Sequence, residues 1–231
     1  MIIVLAAMKE ELDAIVAHLD KKIIKQTPFG QLYEGLINNR QVVCAQSGIG
    51  KTVAAATTTF LIERYPVSII INIGTAGGLS SDLSVTDVIV ADRVSYHDFD
   101  ISAFGYPKGW LNTDYVFNCD QQLITLAKNQ ALAISSKLWV GAIVSGDQFI
   151  SDKQQFMKIT DTFEGVLAVD MEAAAIAHVA HLYQIPVAIM RSISDIVIDD
   201  LNHMSFLEYI KKAAVQSATC VVGVINHLPH Q

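Results

Sequence analysis

The sequence predicts an α/β fold in which residues 1–231 form a single domain, built on a central, mostly parallel mixed β-sheet with helices on both faces. Short apolar runs rich in β-branched residues alternate with longer segments of helical period, an alternation typical of parallel sheets covered by helices. Hydrophobic residues make up 52% of the chain and charged residues 17%, which indicates a large buried core. The sequence shows no linker, internal repeat or low-complexity segment.

Apolar runs predict eight strands. The first run lacks the basic flank of a signal peptide and is followed at once by Lys9, so we expect a buried strand there. Asn38 and Asn39 mark the turn of a strand pair. Fully apolar runs such as residues 67–73 are typical of strands inside a parallel sheet. The predicted strands cover residues 2–6, 31–37, 41–45, 67–73, 85–91, 138–144, 165–169 and 186–192.

Helical period predicts the segments between these strands. Ser151 and Gln154 have the spacing of a capping box, which begins a helix by satisfying free backbone N–H groups. Ser205 and Glu208 repeat that spacing before the last helix. The predicted helices cover residues 12–19, 51–64, 121–131, a segment from 151, residues 176–183 and residues 205–224. Residues 92–118 have no clear period, and a loop of this length in a compact domain usually has a function.

Charge and cysteine spacing disfavour several classes of protein. The net charge of -7 disfavours a nucleic acid partner, because phosphate binding relies on clustered Lys and Arg. Cys44, Cys119 and Cys220 are far apart and odd in number, which argues against a disulfide framework or a zinc site and fits a reducing cytoplasm. No apolar run approaches the ~20 residues of a membrane helix. We therefore expect a cytoplasmic protein that binds a small molecule rather than a membrane.

Polar residues and glycines gather where the predicted strands end. In open α/β sheets, ligands bind at the carboxyl ends of the strands. These ends are residues 8–11, 47–50, 74–78, 145–150, 170–172 and 194–195. The sequence therefore predicts a ligand site along this edge.

Glu11 and Asp195 are the candidate catalytic groups at this edge. Acids in a first helical turn commonly complement the helix dipole, but Glu11 is also placed to orient or deprotonate a water. An Asp in the position of Asp195 often caps a turn. Burial in a mostly apolar pocket would instead raise its pKa and let it act as a general acid toward a purine ring nitrogen.

The Asp170-Met171-Glu172 segment also lies at this edge. Either acid could simply stabilise the start of the next helix. Carboxylates can also accept hydrogen bonds from the two vicinal hydroxyls of a ribose, with the thioether as a soft apolar contact. The glycines of residues 74–78 indicate either a tight turn with positive φ or a close approach of backbone to ligand.

Two further motifs suggest other chemistry. Gly50-Lys51-Thr52 matches the end of a P-loop, with Ala45 in place of the first glycine and Asp92 as a candidate magnesium ligand, so an ATPase or GTPase is an alternative. Residues 97–100, His-Asp-Phe-Asp, contain metal-ligand types, but such a run is more often a solvated loop. We expect no metal and no cofactor.

Taken together, these segments resemble the nucleoside phosphorylase/hydrolase superfamily, and within it the bacterial nucleosidases of 5′-methylthioadenosine and S-adenosylhomocysteine. The resemblance runs through nearly the whole chain and is far more specific than the match to a P-loop. The segments that carry it are residues 7–11, 47–51, 72–79, 96–98, 103–106, 144–150, 169–173, 191–195 and 205–206.

The resemblance implies a nucleoside phosphorylase-like fold and a hydrolase of methionine salvage. It would cut the N-glycosidic bond of 5′-methylthioadenosine, S-adenosylhomocysteine and also 5′-deoxyadenosine. Glu11 would activate the attacking water, Asp195 would protonate purine N7, and Glu172 would hold the ribose hydroxyls. Phe149 would stack on adenine, and the backbone of Ile150 would read its edge. The other implied substrate contacts are Met8, Ile49, Ala76, Gly77, Asp170, Met171, Ser194 and Phe206.

The resemblance also implies a homodimer, in which the loop that contains Ile101 and Phe104 reaches the neighbouring subunit's site. The sequence departs from the family pattern at Asp170, where Glu is usual, so this ribose contact is expected to be weaker or water-mediated. Thr75 replaces the usual Ser of the glycine segment and keeps a hydroxyl. Residues 107–118 also differ, which bears on the choice of 5′ substituent.

Two other functions remain open from the residues alone. Phosphorolysis needs a phosphate cradle, usually built with arginines, and the chain has only Arg40, Arg64, Arg93 and Arg191. Because the first strand is followed by acids that would repel phosphate, hydrolysis is favoured. A nucleoside-binding module without turnover is the second alternative.

Overall fold

The structure is a computed structural model that describes residues 1–134, 137–197 and 202–229, without the side chains of residues 134, 202–209, 211 and 212. The strands are β1 (Ile2–Ala6), β2 (Asp20–Thr27), β3 (Gly30–Ile37), β4 (Arg40–Gln46), β5 (Ile69–Gly78), β6 (Val88–Tyr96), β7 (Val116–Asn118), β8 (Leu138–Ser145), β9 (Ala168–Asp170) and β10 (Val187–Ile196). The α-helices are α1 (Lys9–Val16), α2 (Lys51–Ile62), α3 (Gln121–Ile134), α4 (Lys153–Thr162), α5 (Ala173–Leu182) and α6 (Asn202–His227). Three short 3₁₀ turns lie at Ser102–Phe104, Gly109–Leu111 and Thr113–Tyr115.

The strands form one mixed sheet with a parallel centre. Strands β4, β1, β5 and β10 lie side by side in the same direction, and so do β6, β8 and β9. Antiparallel pairings join β10 to β6 and β5 to β9, so five strands close into a ring in the order β5, β10, β6, β8 and β9. Antiparallel β3 and β2 extend the other edge beyond β4. The predicted α/β fold with a mixed sheet is confirmed.

Helices in two groups cover the sheet. Helix α6 packs on β5 and β10 with α1 and α3 beside it, while α2 packs against α5, which lies on β6 and β8. Burying these surfaces is the main force that holds the layers together. The sheet supplies much of the core, including the fully buried Ile3, Leu5, Ile71 and Ile189. Within the described part of the chain, no helix combines the length and the apolar character needed to cross a bilayer.

Most predicted elements are present, with shifted ends. Asn38 and Asn39 have φ of 49° and 62°, as expected for the tight turn between β3 and β4. Helix α4 is capped by Asp152, whose carboxylate accepts from the N–H groups of Gln154 and Gln155, so the predicted cap at Ser151 is wrong by one residue. The last helix begins at Asn202, three residues before the predicted start.

The largest differences lie in the strands around the pocket edge. Strands β5, β6 and β10 continue four or five residues beyond their predicted ends, so the predicted loop of residues 92–118 begins only after Tyr96 and ends with β7. Strand β2 was not predicted, because its lysine-rich sequence is exposed along nearly its whole length and shows no apolar face. The extensions matter because they carry polar residues into the sheet.

Candidate active site

A pocket of about 410 Å³ opens at the carboxyl ends of β1, β5, β9 and β10. This volume falls in the ~300–1,000 Å³ range that is usual for small-molecule sites. The lining residues are Ala7, Met8, Glu11, Ile49, Thr75, Ala76, Gly77, Phe149, Val169, Asp170, Met171, Glu172, Ser194 and Asp195. The three predicted functional carboxylates, which are far apart in sequence, therefore line the same pocket.

Glu11 is positioned by the strand next to it. Its Oε1 accepts from the backbone N–H of Thr75 at 2.9 Å and from the Thr75 hydroxyl at 3.1 Å. Its Oε2 accepts from the N–H of Met8 at 2.9 Å, as the third residue of a helix often does. Burial raises the pKa of the Glu11 carboxyl, and these donors together with the charge of Arg191 oppose that rise only in part. Glu11 is thus a fixed, buried carboxylate with an increased affinity for a proton.

Asp195 is aimed into the pocket by an irregularity in β10. Ile193 pairs with Ala76 and Asp195 with Gly77, so Ser194 is an extra residue in the ladder. Such bulges redirect side chains and are common next to active sites. The Ser194 hydroxyl donates to Asp195 Oδ1 at 2.7 Å, and both residues are buried.

Two glycines of β5 leave room for these carboxylates. A Cβ at Gly74 would lie 3.1 Å from Glu11 Oε1, and a Cβ at Gly77 would lie 3.3 Å from Asp195 Oδ2. Neither glycine is among the residues with positive φ, so the expected tight turn is not present there. The room at these two glycines is taken up by protein side chains, including the two carboxylates, and a close approach of this backbone to a ligand stays a prediction.

Glu172 lies at the start of α5, and its carboxylate is bound by the loop that precedes α2. Its Oε1 accepts from the backbone N–H of Gly50 at 2.8 Å. Burial raises the pKa of Glu172 to about 8, and the neighbouring charge of Asp170 adds to the rise, while the Gly50 N–H and Arg191 oppose it. Glu172 is buried and lines the pocket.

Asp170 lines the same pocket, but its carboxylate oxygens already bind protein groups. Oδ2 accepts from Arg191 Nε at 2.9 Å and lies 2.7 Å from Arg191 Nη2. Oδ1 accepts from the Ser145 hydroxyl at 2.5 Å and from the N–H groups of Glu172 and Ala173 at 3.3 Å. Asp170 is not the N-cap of α5, which is Glu172, but it accepts from two N–H groups at the start of that helix and neutralises a buried arginine, so its role is close to the capping alternative considered for it from the sequence.

Comparisons with known proteins give matches over nearly the whole chain. The family model of the phosphorylase superfamily matches residues 1–226. A 5′-methylthioadenosine/S-adenosylhomocysteine nucleosidase from Glaesserella parasuis serovar 5 is 36% identical over 225 residues, 97% of each chain. The chain belongs to the 5′-methylthioadenosine/S-adenosylhomocysteine nucleosidase family of the phosphorylase superfamily.

Solved structures of relatives in this family have the same fold. The Streptococcus pneumoniae nucleosidase with the transition-state inhibitor MT-ImmA superposes with a TM-score of 0.91 at 32% identity, covering 99% of both chains. The Colwellia psychrerythraea nucleosidase in complex with adenine gives a TM-score of 0.90 at 32% identity, covering 97% of this chain and 93% of that one. The resemblance found in the sequence is confirmed at the level of the family.

Not every residue predicted for this nucleosidase site lines the pocket. The side chain of Ile150 is buried in a small apolar cluster with Val144 and Val169, and Ile150 is not among the lining residues. Ile101 and Phe104 lie in the loop after β6, away from this chain's own lining, and Phe104 is 81% exposed. Phe206 lies in α6, but its side chain is outside the described part of the structure.

Three contributors to the site were not predicted from the sequence as site residues. Thr75 binds Glu11 through its backbone N–H and its hydroxyl, and the hydroxyl is the feature of the sequence that could indicate this role. The Gly50 N–H that binds Glu172 is a backbone group, which no residue pattern reveals. Arg191 falls within the predicted strand of residues 186–192, but its pairing with Asp170 depends on strand register.

The P-loop-like and metal-like motifs form other contacts in this structure. The N–H of Lys51, at the start of α2, donates to Asp147 Oδ1 at 2.7 Å, so a carboxylate lies where a P-loop would hold phosphate. Asp98 pairs with Lys51, and Asp100 pairs with Lys108 at 2.6 Å. Among the residues described, no group of three or more His, Cys, Asp or Glu side chains is arranged to hold a metal ion.

Proposed function

We propose that this chain hydrolyses the N-glycosidic bond of 5′-methylthioadenosine and S-adenosylhomocysteine and releases adenine with the thioribose product. The observation that carries the proposal is the meeting of Glu11, Glu172 and Asp195 around one largely apolar pocket. Relatives of 32–36% identity are named as nucleosidases of these compounds, and two of their structures contain adenine or a transition-state inhibitor. 5′-Deoxyadenosine, which shares the adenine and the ribose hydroxyls, is a further candidate substrate.

The three carboxyl groups match the charges that the reaction develops. When the C1′–N9 bond breaks, positive charge grows on the sugar and negative charge on the purine. Asp195 would donate a proton to N7 as a general acid, while Glu11 takes a proton from the water whose oxygen bonds to C1′. Glu11 and Glu172 would also stabilise the cationic sugar through fixed, preorganised charge.

The remaining lining residues suit the neutral parts of the substrate. Phe149 is 42% exposed at the pocket mouth, where its ring can stack on adenine. Met8, Ile49 and Met171 give the apolar surface that a sugar face and an alkylthio group require. Ala76, Gly77 and Ser194 would line the base side, and the Ile150 backbone would read the base edge.

The positions of the arginines support hydrolysis over phosphorolysis. Arg191 is buried and bound to Asp170 and to the Asn72 side chain at 2.5 Å. Arg64 lies over the ring of Phe60, and Arg93 lies over Trp110, both away from the pocket. No arginine or lysine is among the described residues that line the pocket, so a phosphate cradle has no cation there.

We further propose a homodimer in the cytoplasm. The loop after β6 exposes Phe104, Tyr106 and Leu111, with Leu111 77% exposed, and such a patch suits a protein interface. Ile101 and Phe104 would then reach the partner's pocket. Cys44, Cys119 and Cys220 are buried free thiols, which suits a reducing compartment.

The assignment is tested by replacing the proposed acid and by varying the nucleophile. Asp195→Asn is expected to abolish adenine release from methylthioadenosine while an inhibitor of the MT-ImmA class still binds. Asp152→Asn, which alters only the cap of α4, is the matched control and should keep full activity. Undiminished turnover by Asp195→Asn would exclude Asp195 as the acid, and ribose-1-phosphate formed in phosphate buffer would exclude hydrolysis.

A further inference from the structure

Two motifs that the proposed function leaves unused meet beside the pocket. Lys51, from the P-loop-like motif, and Asp98, from the metal-like motif, form an ion pair with Nζ and Oδ1 2.5 Å apart. Asp147 joins them: its backbone N–H donates to Asp98 Oδ2 at 2.8 Å, and its Oδ2 lies 3.7 Å from Lys51 Nζ. We call Lys51, Asp98 and Asp147 the clasp. Because they follow β4, β6 and β8, the clasp joins three loops, each of which begins at the carboxyl end of its strand.

The clasp lies next to the backbone donor that holds Glu172. The N–H of Gly50 donates to Glu172 Oε1 at 2.8 Å, and the following N–H, that of Lys51, donates to Asp147 Oδ1 at 2.7 Å. Gly50 has a φ of 96°, and a Cβ on it would lie 3.0 Å from Asp147 Oδ1. Two successive N–H groups at the start of α2 therefore bind one pocket carboxylate and one clasp carboxylate.

We propose that the clasp is a positioning device, in which Lys51, Asp98 and Asp147 hold the Gly50 N–H against Glu172 so that this carboxylate keeps the orientation that binds the two ribose hydroxyls. The inference rests on the proposed function, because Glu172 has this role only if a nucleoside is bound. No clasp residue lines the pocket, so each acts through Gly50 and not by touching substrate.

The charges around the clasp support a stable ion pair. Burial raises the pKa of Asp98, but the bonds from Lys51 and from the Asp147 N–H outweigh it, so the net pKa is lowered. Burial lowers the pKa of the neighbouring His97, which leaves Lys51 as the cation of the clasp near neutral pH. The Lys51 ammonium also lies 5.5 Å from the centre of the Tyr96 ring, which favours a cation.

Loss of the clasp has a consequence that differs from a general loss of structure. The groups that act on Glu172 are Asp170 and Glu11, which raise its pKa, and Arg191 and the Gly50 N–H, which lower it. If Gly50 moves away, the charged form of Glu172 loses a donor and its pKa rises further. Since Glu172 must be ionised to accept both hydroxyl hydrogen bonds, activity should then require a higher pH.

The test is the pH profile of kcat/KM for methylthioadenosine in Lys51→Met. Lys25→Met is the matched control, because it removes the same charge from a 2.5 Å ion pair with Glu34 on the β2–β3 hairpin. We expect the acidic limb of Lys51→Met to move up by about one pH unit, the worth of a hydrogen bond to a charged group. At pH 7 kcat/KM should fall about tenfold, mainly through a higher KM, and it should recover toward pH 9. A fall in kcat/KM of equal size at every pH, or no fall at all, would overturn the proposal.

Two further variants and a second measurement keep the result interpretable. Asp98→Asn removes the charge but keeps an acceptor for the Asp147 N–H, and should shift the limb in the same direction if Lys51→Met does not fold. Lys51→Arg should restore most of the wild-type profile. The Glu172 carboxyl is titrated by ¹³C NMR in the substrate-free protein, with Glu172→Gln for assignment. Wild-type protein that releases no adenine would refute the proposed function, whereas a Glu172 titration unchanged by Lys51→Met would refute the clasp alone.

Discussion

The two sides of the pocket hold their carboxylates in different ways. Glu11 and Asp195 are fixed by β5 and β10, through a backbone N–H, a threonine hydroxyl and a bulge within regular strands. Glu172 is fixed by the first turn of α2, which depends in turn on three loops joined by partly exposed side chains. The groups that would do the chemistry are thus held by the sheet, and the group that would bind the sugar is held by loops.

This difference has a physical meaning. Strands deep in a sheet open only with the whole fold, whereas loop segments with exposed hydrogen bonds open at lower free energy. A rigid acid and base suit a reaction that depends on placement within a fraction of an ångström. A sugar-binding group that can move with its loops suits the entry of substrate and the release of products. We therefore expect changes on the sheet side, which holds Glu11 and Asp195, to lower kcat. Changes on the loop side, which holds Glu172, should raise KM.

Glu11→Gln should give the largest effect on the sheet side. The amide keeps the size and the contact with Thr75, but it cannot take a proton from water, so kcat should fall by about 10²–10⁴-fold with little change in KM. Glu10→Gln is the matched control, because Glu10 is the exposed neighbour in the same helical turn. Steady-state adenine release measures both. A Glu11→Gln enzyme with normal kcat would remove the base from the proposed mechanism.

Asp170→Ala should lower the free energy of unfolding by removing contacts beside Glu172. It leaves buried Arg191 without its carboxylate and the N–H of Ala173 without its acceptor, and removing one partner of a buried ion pair costs about 3–5 kcal/mol. Asp92→Ala is the control, because it breaks the half-exposed 3.6 Å pair with Arg93, an interaction worth about 0–1 kcal/mol. Urea unfolding of both variants compares the two costs. Equal costs would mean that the Asp170–Arg191 pair contributes no more than a surface pair.

Gly74→Ala tests whether the space beside Glu11 is needed to place its carboxylate. The added Cβ would lie 3.1 Å from Glu11 Oε1, so the carboxylate must shift by a few tenths of an ångström. We expect kcat to fall by about tenfold, since misplacement by 1 Å can cost about 10²-fold. Gly165→Ala has open space around its Cβ but a φ of 75°, so it should lose about 1–2 kcal/mol of stability and keep its kcat. If both variants lower only the melting temperature, Gly74 is not needed to place Glu11.

The sequence predicts the sheet side better than the loop side. Apolar runs such as β1 and β8 determine which strands are buried, and the rule that ligands bind at the carboxyl ends of strands then selects Glu11, Glu172 and Asp195 as candidates. What it misses are contacts made by groups without a sequence pattern. The Gly50 N–H is one example, since any residue type carries it.

Strand length and pairing explain most of the remaining differences. The sequence alone predicts loops for the polar ends of β5 and β10, because residues such as Thr75 and Asp195 break an apolar run. In the structure their backbone groups pair across the β5–β10 ladder, so they remain in strands despite a low apolar content. The bulge at Ser194 depends on that register, and register cannot be read from one strand alone.

The pH dependence of Glu172 links the stability of the loop side to its capacity to bind ribose. Burial raises its pKa from 4.5 to about 8, so the folded state holds a proton that the unfolded state has released over that interval. Stability contributed by this group is therefore present below about pH 4.5 and is lost as the pH rises toward 8, while the ionised form needed for ribose binding increases. Glu172→Gln should melt like the wild type at pH 4.5 and higher than the wild type at pH 8, by about 2–4 °C for each kcal/mol recovered. The exposed Glu164→Gln is the control and should show no such pH-dependent gain. A melting temperature for Glu172→Gln that follows the wild type at every pH would show that Glu172 binds its proton equally in both states, and the loop side would then hold a carboxylate no different from one in water.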